Sequence, residues 1–169
     1  MGIPEIIVLM LVAVVIWIFY PLTFGAIWQP TPMTKVRRML RMADVGPNDV
    51  LYDLGSGDGR LVTTAVKEFG ARAVGVEVDP ILVWWARIKI RINGISDRAR
   101  VIRGNLFKKN IGEATVVTLF LGQGVNDALR GKLKKELKPG TRVVSYIHTF
   151  EGLTPILADE NSEIYLYLI

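Results

Sequence analysis

Three glycines at alternate positions follow a short apolar run near residue 50. The stretch 51–60 reads LYDLGSGDGR, with Gly55, Gly57 and Gly59 two apart and Asp53 just ahead of them. A glycine-rich turn after a buried strand lets the backbone approach a ligand closely and adopt φ values that other residues avoid. The helix that follows such a turn offers free N–H groups to a carboxylate or phosphate. The spacing therefore predicts a small-molecule site at this turn.

Two well-known glycine-rich loops do not fit this spacing. The phosphate loop GxxxxGK[ST] is absent, because no Gly-Lys-Ser or Gly-Lys-Thr occurs in the chain. The dinucleotide fingerprint GxGxxG, started at Gly55, would need glycine at position 60, which is Arg60. The chain instead offers acid-x-Gly-x-Gly-x-Gly.

A second acidic residue, Glu77 in GVEVDP, stands at the end of the next predicted strand. A carboxylate at this position can accept hydrogen bonds from the ribose hydroxyls of an adenosine, as an acid about 20 residues after the turn does in dinucleotide folds. The alternative is a strand-end acid that only faces solvent. Glu77 is therefore a candidate acceptor for the ribose hydroxyls of a bound adenosine.

The elements around these residues alternate between strand and helix. Strands are predicted at 50–54, 73–78, 99–104, 114–121, 141–150 and 163–169, with another within 153–157, and helices at 34–44, 59–70, 80–94 and 127–140. Thr34 is the predicted N-cap of the first of these helices. Such alternation predicts an α/β fold of the Rossmann type, with a mostly parallel sheet and helices on both faces. The last strands lack an intervening helix and predict a C-terminal antiparallel hairpin.

The N-terminal part is a long uncharged run. No charge occurs from residue 6 to residue 34, and 6–28 is nearly all apolar, with Trp17, Tyr20 and Trp28 as candidate interfacial aromatics. About 20 apolar residues span a bilayer, so 6–28 predicts an N-terminal transmembrane helix and a partner in the lipid bilayer. A peripheral hydrophobic hairpin, a partner-binding segment, a signal peptide and a core helix are the alternatives.

Basic residues follow this run and do not precede it. Lys35, Arg37, Arg38 and Arg41 come directly after it, whereas no Lys or Arg lies upstream. The positive-inside rule then predicts a single-pass membrane protein whose folded domain faces the cytoplasm or the equivalent compartment. The chain has a net charge of +5, which suits an anionic membrane, a nucleic acid or an acidic protein without choosing among them.

Several kinds of catalytic site are made improbable by composition. The chain has no cysteine, so a thiolate nucleophile, a disulfide framework and a Cys-ligated metal are excluded. It has one histidine, His148, which makes a His-based metal site hard to build, and no metal is expected.

The motifs together resemble one enzyme family. YDLGSGDGR, AVGVEVDP, VIRGN and ATVVTLFL resemble the class I S-adenosylmethionine-dependent methyltransferases across 30–169. PTP, KVRRML, GNLF, LKKELKPGTRVVS and the YLYLI ending are more narrowly similar to the archaeal protein lysine methyltransferases and their membrane-anchored mitochondrial relatives. The resemblance implies a seven-stranded sheet, S-adenosyl-L-methionine as cofactor, and methyl transfer to an accessible lysine of a protein substrate.

The resemblance also implies which residues hold the cofactor. The residues around its methionine part would come from the loop, and those around its adenosine from the ends of the next strands. The cofactor set is Asp53, Gly55, Ser56, Gly57, Asp58, Gly59, Glu77, Val78, Asp79, Asn105, Leu106, Phe107 and Phe120. Asn105 is alternatively a simple turn residue.

Candidate catalytic residues are Thr31, Tyr146 and His148, in positioning roles rather than as a dedicated base. The resemblance places Thr31, in PTP, near the substrate entrance. After VVS the chain departs from the archaeal pattern, with Tyr146 to Thr149 where those proteins tend to have an acidic or aromatic cluster. The amide-methyltransferase signature Asn/Asp-Pro-Pro-aromatic is replaced by LFLGQG, so neither amides nor nucleobases are the expected acceptor, and no nucleic-acid partner is expected.

These expectations divide the chain into three parts. Residues 1–28 form the membrane anchor, 29–48 a linker with an amphipathic helix, and 49–169 the cofactor-binding domain. Two other functions stay open: a methyltransferase for a lipid or small isoprenoid at the membrane, and an inert methyltransferase fold used for binding.

Overall fold

The computed structural model describes residues 2–19 and 29–169. The helices are α1 (Ile3–Phe19), α2 (Met33–Met42), α3 (Arg60–Phe69), α4 (Pro80–Ile92) and α5 (Gln123–Glu136). The strands are β1 (Val50–Leu54), β2 (Arg72–Glu77), β3 (Ala99–Arg103), β4 (Val116–Leu119), β5 (Arg142–Tyr146), β6 (Leu157–Asp159) and β7 (Ile164–Leu168).

The strands form a seven-stranded sheet in the order β3-β2-β1-β4-β5-β7-β6. The first five strands are parallel, whereas β7 runs antiparallel to both β5 and β6. All five residues of β1 are buried, as expected for a central strand covered on both faces. The predicted Rossmann-like sheet with a C-terminal antiparallel hairpin is therefore confirmed.

Helices pack on both faces of the sheet. One apolar core joins α2, α3 and α4 to the sheet, through residues such as Met39, Val62 and Ala86. A second core joins α5 and the segment before β4 to the opposite face, through residues such as Leu133 and Ile111. The carboxyl ends of β1, β2 and β4 are thus fixed between two packed layers.

Some predicted boundaries were wrong. The strand predicted at 141–150 ends at Tyr146, because Ile147 has φ +68°, a left-handed value that a β-branched residue rarely adopts and that breaks the extended chain. α2 begins one residue before Thr34, and its N-cap is Pro32 rather than Thr34. α5 begins at Gln123, four residues before the predicted start.

The N-terminal helix α1 covers 17 residues, and its side chains from residue 3 to 15 are exposed. Within 2–19 and 29–169, no helix combines the length and apolar character needed to cross a membrane. The transmembrane helix predicted over 6–28 is therefore not confirmed. Part of that segment, 20–28, lies outside the described residues.

Candidate functional site

A pocket lies at the carboxyl ends of β1, β2 and β4, the edge of a parallel sheet where ligands usually bind. Nearly all of the predicted cofactor residues line it. They are Asp53, Gly55, Ser56, Gly57, Asp58, Glu77, Val78, Asp79, Asn105, Leu106, Phe107 and Phe120. Residues far apart in sequence therefore meet in one cleft.

The three glycines of the loop have positive φ angles of +82°, +52° and +73° in chain order. Gly55 also sits against a neighbouring side chain, since a Cβ there would lie 2.8 Å from Cδ2 of Leu121. Gly59 differs from the other two, because a Cβ there would lie 2.9 Å from the Cβ of Ala86 in α4. Gly59 thus lets α3 pack closely on α4, and the pocket lining in the described part of the chain does not include it.

Glu77 ties the glycine loop to the end of β2. Its Oε2 accepts the backbone N–H of Gly57 at 2.8 Å, and its Oε1 accepts those of Val78 and Asp79 at 2.8 and 2.9 Å. A carboxylate has about four acceptor sites, so Oε2 can take a further donor from the pocket. Glu77 is therefore both a brace for the loop and a candidate acceptor for a ligand hydroxyl.

Asp53 is a buried carboxylate at the floor of the pocket. Thr118 Oγ1 donates a hydrogen bond to its Oδ1 at 2.9 Å. Burial raises the pKa of Asp53 to about 7; the hydrogen bond from Thr118 opposes the rise, and the charges of Glu77 and Asp58 add to it. A cationic group in the pocket would favour the ionised form. The buried carboxylate of Asp53 therefore suits a ligand with an ammonium group.

Asp58 is the centre of an ion-pair network beside the loop. Its carboxylate accepts Nε of Arg60 at 2.9 Å and Nζ of Lys89 at 2.7 Å. Burial alone would raise the pKa of Asp58, but the hydrogen bonds and charges of Arg60 and Lys89 hold it below its usual value. Arg60 Nη1 also donates to the carbonyl oxygen of Thr31 at 2.9 Å. Arg60 thereby fastens the segment around Thr31 to the pocket wall.

Two predicted cofactor residues have local structural roles as well. Asp79 is the N-cap of α4, and its Oδ1 accepts the N–H groups of Ile81 and Leu82 at 2.7 and 3.2 Å. Asn105 closes a turn, because its Oδ1 accepts the N–H of Phe107 at 2.8 Å. The turn-residue interpretation of Asn105 is therefore compatible with its place in the pocket lining.

The three candidate catalytic residues occupy different places. Thr31 is buried in the pocket wall. Tyr146 lies behind Phe120, with ring centroids 4.7 Å apart, and burial raises the pKa of its hydroxyl, as does the charge of Glu163. Among the described residues that line the pocket, neither Tyr146 nor His148 is included. The structure therefore brings Thr31 to the pocket, whereas Tyr146 and His148 are not part of its lining.

The turn after β5 is held by a buried amide. Asn126 Nδ2 donates to Ser145 Oγ and to the carbonyl oxygen of His148, each at 3.0 Å. Ser145 Oγ also donates to that carbonyl. His148 N–H donates to the carbonyl oxygen of Tyr146 at 2.9 Å, across the left-handed residue Ile147. The bonds that fix this turn involve the backbone of His148.

Sequence reasoning missed several residues of the pocket. Gln29, Met39, Arg60, Leu61, Leu82, Gly104, Leu121 and Val125 also line it. Arg60 carries a signal, since it directly follows the glycine loop, but in the sequence it stands out only as the residue that breaks the dinucleotide fingerprint. The apolar residues look like ordinary core residues in the sequence, and nothing local distinguishes them.

Comparison with known proteins agrees with this geometry. The family described as ANTKMT methyltransferase domain matches residues 53–157. A protein-lysine N-methyltransferase of Saccharolobus islandicus is 48% identical over 83% of this chain and 91% of its own. An adenine nucleotide translocase lysine N-methyltransferase of Mus musculus is 41% identical over 56% of this chain, and the match spans less than half (42%) of that relative.

A solved structure is also similar. It is described as an RNA methyltransferase from Salinibacter ruber in complex with S-adenosyl-L-homocysteine, and it matches with a TM-score of 0.81 at 46% identity. The match covers 83% of this chain and 94% of that one. The resemblance inferred from the motifs is thereby confirmed, and the chain belongs to the ANTKMT methyltransferase domain family.

Proposed function

We propose that this protein is an S-adenosylmethionine-dependent methyltransferase that methylates lysine side chains of proteins. The observation that carries the proposal is the pair of buried carboxylates, Asp53 and Glu77, on either side of the glycine loop. One suits an ammonium group and the other suits hydroxyl groups, which matches the two polar ends of an adenosyl amino acid. Family membership and the archaeal lysine methyltransferase at 48% identity support the same reaction.

Different pocket residues are proposed to contact different parts of the cofactor. Asp53 would hold the ammonium of the methionine part, and the positive-φ backbone at Gly55 and Gly57 would let that part lie close to the loop. Glu77 would accept the ribose hydroxyls through its remaining acceptor capacity. Leu106 and Phe107 would pack against the adenine ring. When bound, S-adenosylmethionine supplies an electrophilic methyl group on a sulfonium.

The acceptor side of the pocket is apolar. Phe120, Leu121 and Val125 line it near the end of β4. A lysine ε-amine has an unperturbed pKa of about 10.4, and desolvation by such a wall lowers it, which favours the neutral nucleophile. The role of these residues is to orient the amine and exclude water, a proximity effect that can supply about 7–11 kcal/mol. No dedicated base is required for this chemistry.

The N-terminal segment is proposed to anchor the enzyme in a membrane. The exposed, apolar side chains of residues 3–15 in α1, together with the apolar run that continues to 28, suit insertion into a bilayer. The basic residues from Lys35 to Arg41 favour a single-pass arrangement with the folded domain on the cytoplasmic or equivalent side. Alkaline carbonate extraction of membranes tests this placement, because an integral anchor stays in the pellet whereas a peripheral protein is released.

RNA is the second candidate acceptor. The structure from Salinibacter ruber, 46% identical to this chain, is described as an RNA methyltransferase. The net charge of +5 also suits a polyanion. The absence of the Asn/Asp-Pro-Pro-aromatic signature after β4 favours a lysine amine over a nucleobase nitrogen.

One experiment separates the acceptors. The purified protein is incubated with methyl-labelled S-adenosylmethionine and a total membrane and ribosome extract, which is then divided into protein, RNA and lipid fractions. Label in the protein fraction, lost with Glu77→Ala, supports the proposal. Label only in RNA supports the second candidate, and label only in lipid supports a membrane-lipid methyltransferase. If the wild-type protein does not bind S-adenosylmethionine, the result supports the alternative that the domain is a catalytically inert methyltransferase fold used for binding.

A further inference from the structure

Helix α4 has two apolar faces, and only one of them packs on the sheet. Leu82, Val83, Ala86 and Ile90 form the buried face. Ile81, Trp84, Trp85, Ile88 and Ile92 form a second stripe, at the three- and four-residue spacing of one helix side. Four members of that stripe are exposed, by 50% for Ile81, 62% for Trp84, 47% for Trp85 and 79% for Ile92. We call these five residues the outer stripe.

The outer stripe lies at the edge of the molecule. α4 packs against β2 and β3, and β3 is the edge strand of the sheet. A contiguous apolar patch with two tryptophans is unusual on a protein surface and marks an interaction site. The stripe starts at the pocket, because Asp79 and Leu82 at the beginning of α4 line the pocket wall. Whatever covers the stripe therefore lies beside the pocket mouth.

Arginines flank the outer stripe. Arg87 and Arg91 are exposed along one side of it. A groove between α4 and β3 is lined by both, together with Arg100, Trp84 and Ile88. Arg87 Nε donates to the carbonyl oxygen of Val101 at 2.9 Å, and Arg100 pairs with Glu113 at 3.3 Å. The guanidinium groups suit planar contact with phosphate oxygens.

We propose that the outer stripe rests on the surface of an anionic lipid bilayer. An apolar helix face with tryptophan, bordered by arginine, is the pattern of a helix lying in the membrane interface. The charge pattern disfavours a second copy of this chain as the occupant, because a two-fold contact between antiparallel copies of α4 would place Arg87 and Arg91 beside the same residues of the partner. The inference concerns a contact of the folded domain and does not depend on the identity of the methyl acceptor.

Tryptophan fluorescence can test the contact in the full-length protein. The chain has four tryptophans, so replacing Trp17 and Trp28 by Phe leaves Trp84 and Trp85 as the only reporters. The protein is mixed with vesicles of phosphatidylcholine, with or without about one-third phosphatidylglycerol, and with brominated acyl chains as quenchers. The proposal predicts a blue-shifted emission and strong quenching in the anionic vesicles, at least twice that in the neutral ones.

Charge reversal supplies the matched control. Arg87→Glu with Arg91→Glu should remove at least half of the quenching in anionic vesicles. Lys134→Glu with Lys135→Glu makes the same charge change on exposed positions of α5, on the opposite face of the sheet, and should remove much less. Equal quenching in both vesicle types, or equal loss in both variants, would overturn the proposal. So would a dimer in sedimentation equilibrium that Trp84→Ser with Trp85→Ser dissociates.

Discussion

Glu77 Oε2 lies 2.8 Å from the backbone nitrogen of Gly57, so a side chain at the end of β2 holds the loop that follows β1. The same carboxylate accepts the N–H groups of Val78 and Asp79. One buried acid thus fixes the shape of the two segments between which the cofactor is proposed to lie. Because Glu77 holds both segments, substitutions at this position should affect the cofactor site and the stability of the fold together.

Glu77→Ala should weaken S-adenosylmethionine binding and lower stability together. It removes the acceptor of three backbone donors, and two of these, at Gly57 and Asp79, are buried, where an unsatisfied group costs about 1–3 kcal/mol. Glu77→Gln keeps one oxygen for Val78 and Asp79 but turns its amide nitrogen towards the Gly57 N–H, so it should be intermediate. Calorimetric titration and thermal unfolding measure both effects. Glu160→Ala, which removes an exposed acid, should change neither.

Asp53 predicts a pH-dependent cofactor affinity. Its pKa is raised to about 7 in the folded protein, so it is largely protonated at pH 6 and largely ionised at pH 8. Because the ionised form pairs with an ammonium group, S-adenosylmethionine should bind more tightly as the pH rises from 6 to 8. Calorimetry at pH 6 in two buffers of different ionisation enthalpy should show proton release on binding. An affinity that does not change with pH would contradict the role given to Asp53.

The same carboxylate predicts a stability effect of the opposite direction. A raised pKa in the folded state stabilises the fold at acidic pH, and this stabilisation is lost as the pH rises through about 7. Asp53→Asn keeps an acceptor for Thr118 without the charge, so its stability relative to the wild type should increase from pH 5 to pH 8. Urea unfolding of the two unliganded proteins at both pH values measures the difference, and a difference that stays constant or shrinks would be a contradiction.

Arg60→Ala should loosen the segment around Thr31. It removes the bond to the Thr31 carbonyl together with a bidentate pair to Asp58. The expected loss in cofactor affinity is about 5- to 30-fold, equivalent to about 1–2 kcal/mol. Lys89→Ala is the matched control, because it removes the other cation from Asp58 but leaves the Thr31 bond in place. Equal effects of the two variants would show that the charge on Asp58, rather than the bond to Thr31, matters.

Replacing Asn126 should lower kcat more than replacing His148, although histidine is the commoner catalytic residue. Asn126 binds the carbonyl oxygen of His148, so His148→Ala keeps the bond that fixes the turn. We expect a small change in kcat for His148→Ala and a drop of roughly tenfold for Asn126→Ala, since small misplacements near a reacting centre are costly. Initial rates from pH 6 to 9 test this. Loss of a pH-rate limb in His148→Ala would instead identify the imidazole as a base.

Much of the fold and of the pocket lining was predictable because the signals are local. The glycine spacing, Asp53 and Glu77 all stand at strand ends that apolar runs mark clearly. The bond from Arg60 to Thr31 joins residues 29 positions apart, and no pattern in either segment indicates it. Likewise, Asn126 in α5 donates to Ser145 and to the carbonyl oxygen of His148, which lie on either side of the left-handed Ile147 that ends β5. Tertiary contacts therefore determine the position of the Thr31 segment and the end of β5, which the sequence pattern did not predict.

The start of α5 was also not predicted from the sequence pattern. Glycine has a low helix propensity, and Gly122 and Gly124 flank Gln123, yet the helix begins at Gln123. The fully buried Asn126, bonded to Ser145, lies in this first part of the helix. The buried bond from Asn126 to Ser145 of β5 favours the helix here despite the low helix propensity of glycine.

The most direct measurement identifies the methylated amino acid. The protein fraction labelled by the wild-type enzyme is hydrolysed completely, and its amino acids are separated and weighed by mass spectrometry, with Glu77→Ala as the blank. Methylated lysine that appears with the wild-type enzyme and is absent from the blank is the predicted result. Methyl groups found on RNA bases or lipid, with no methylated lysine above the blank, would contradict the proposed function.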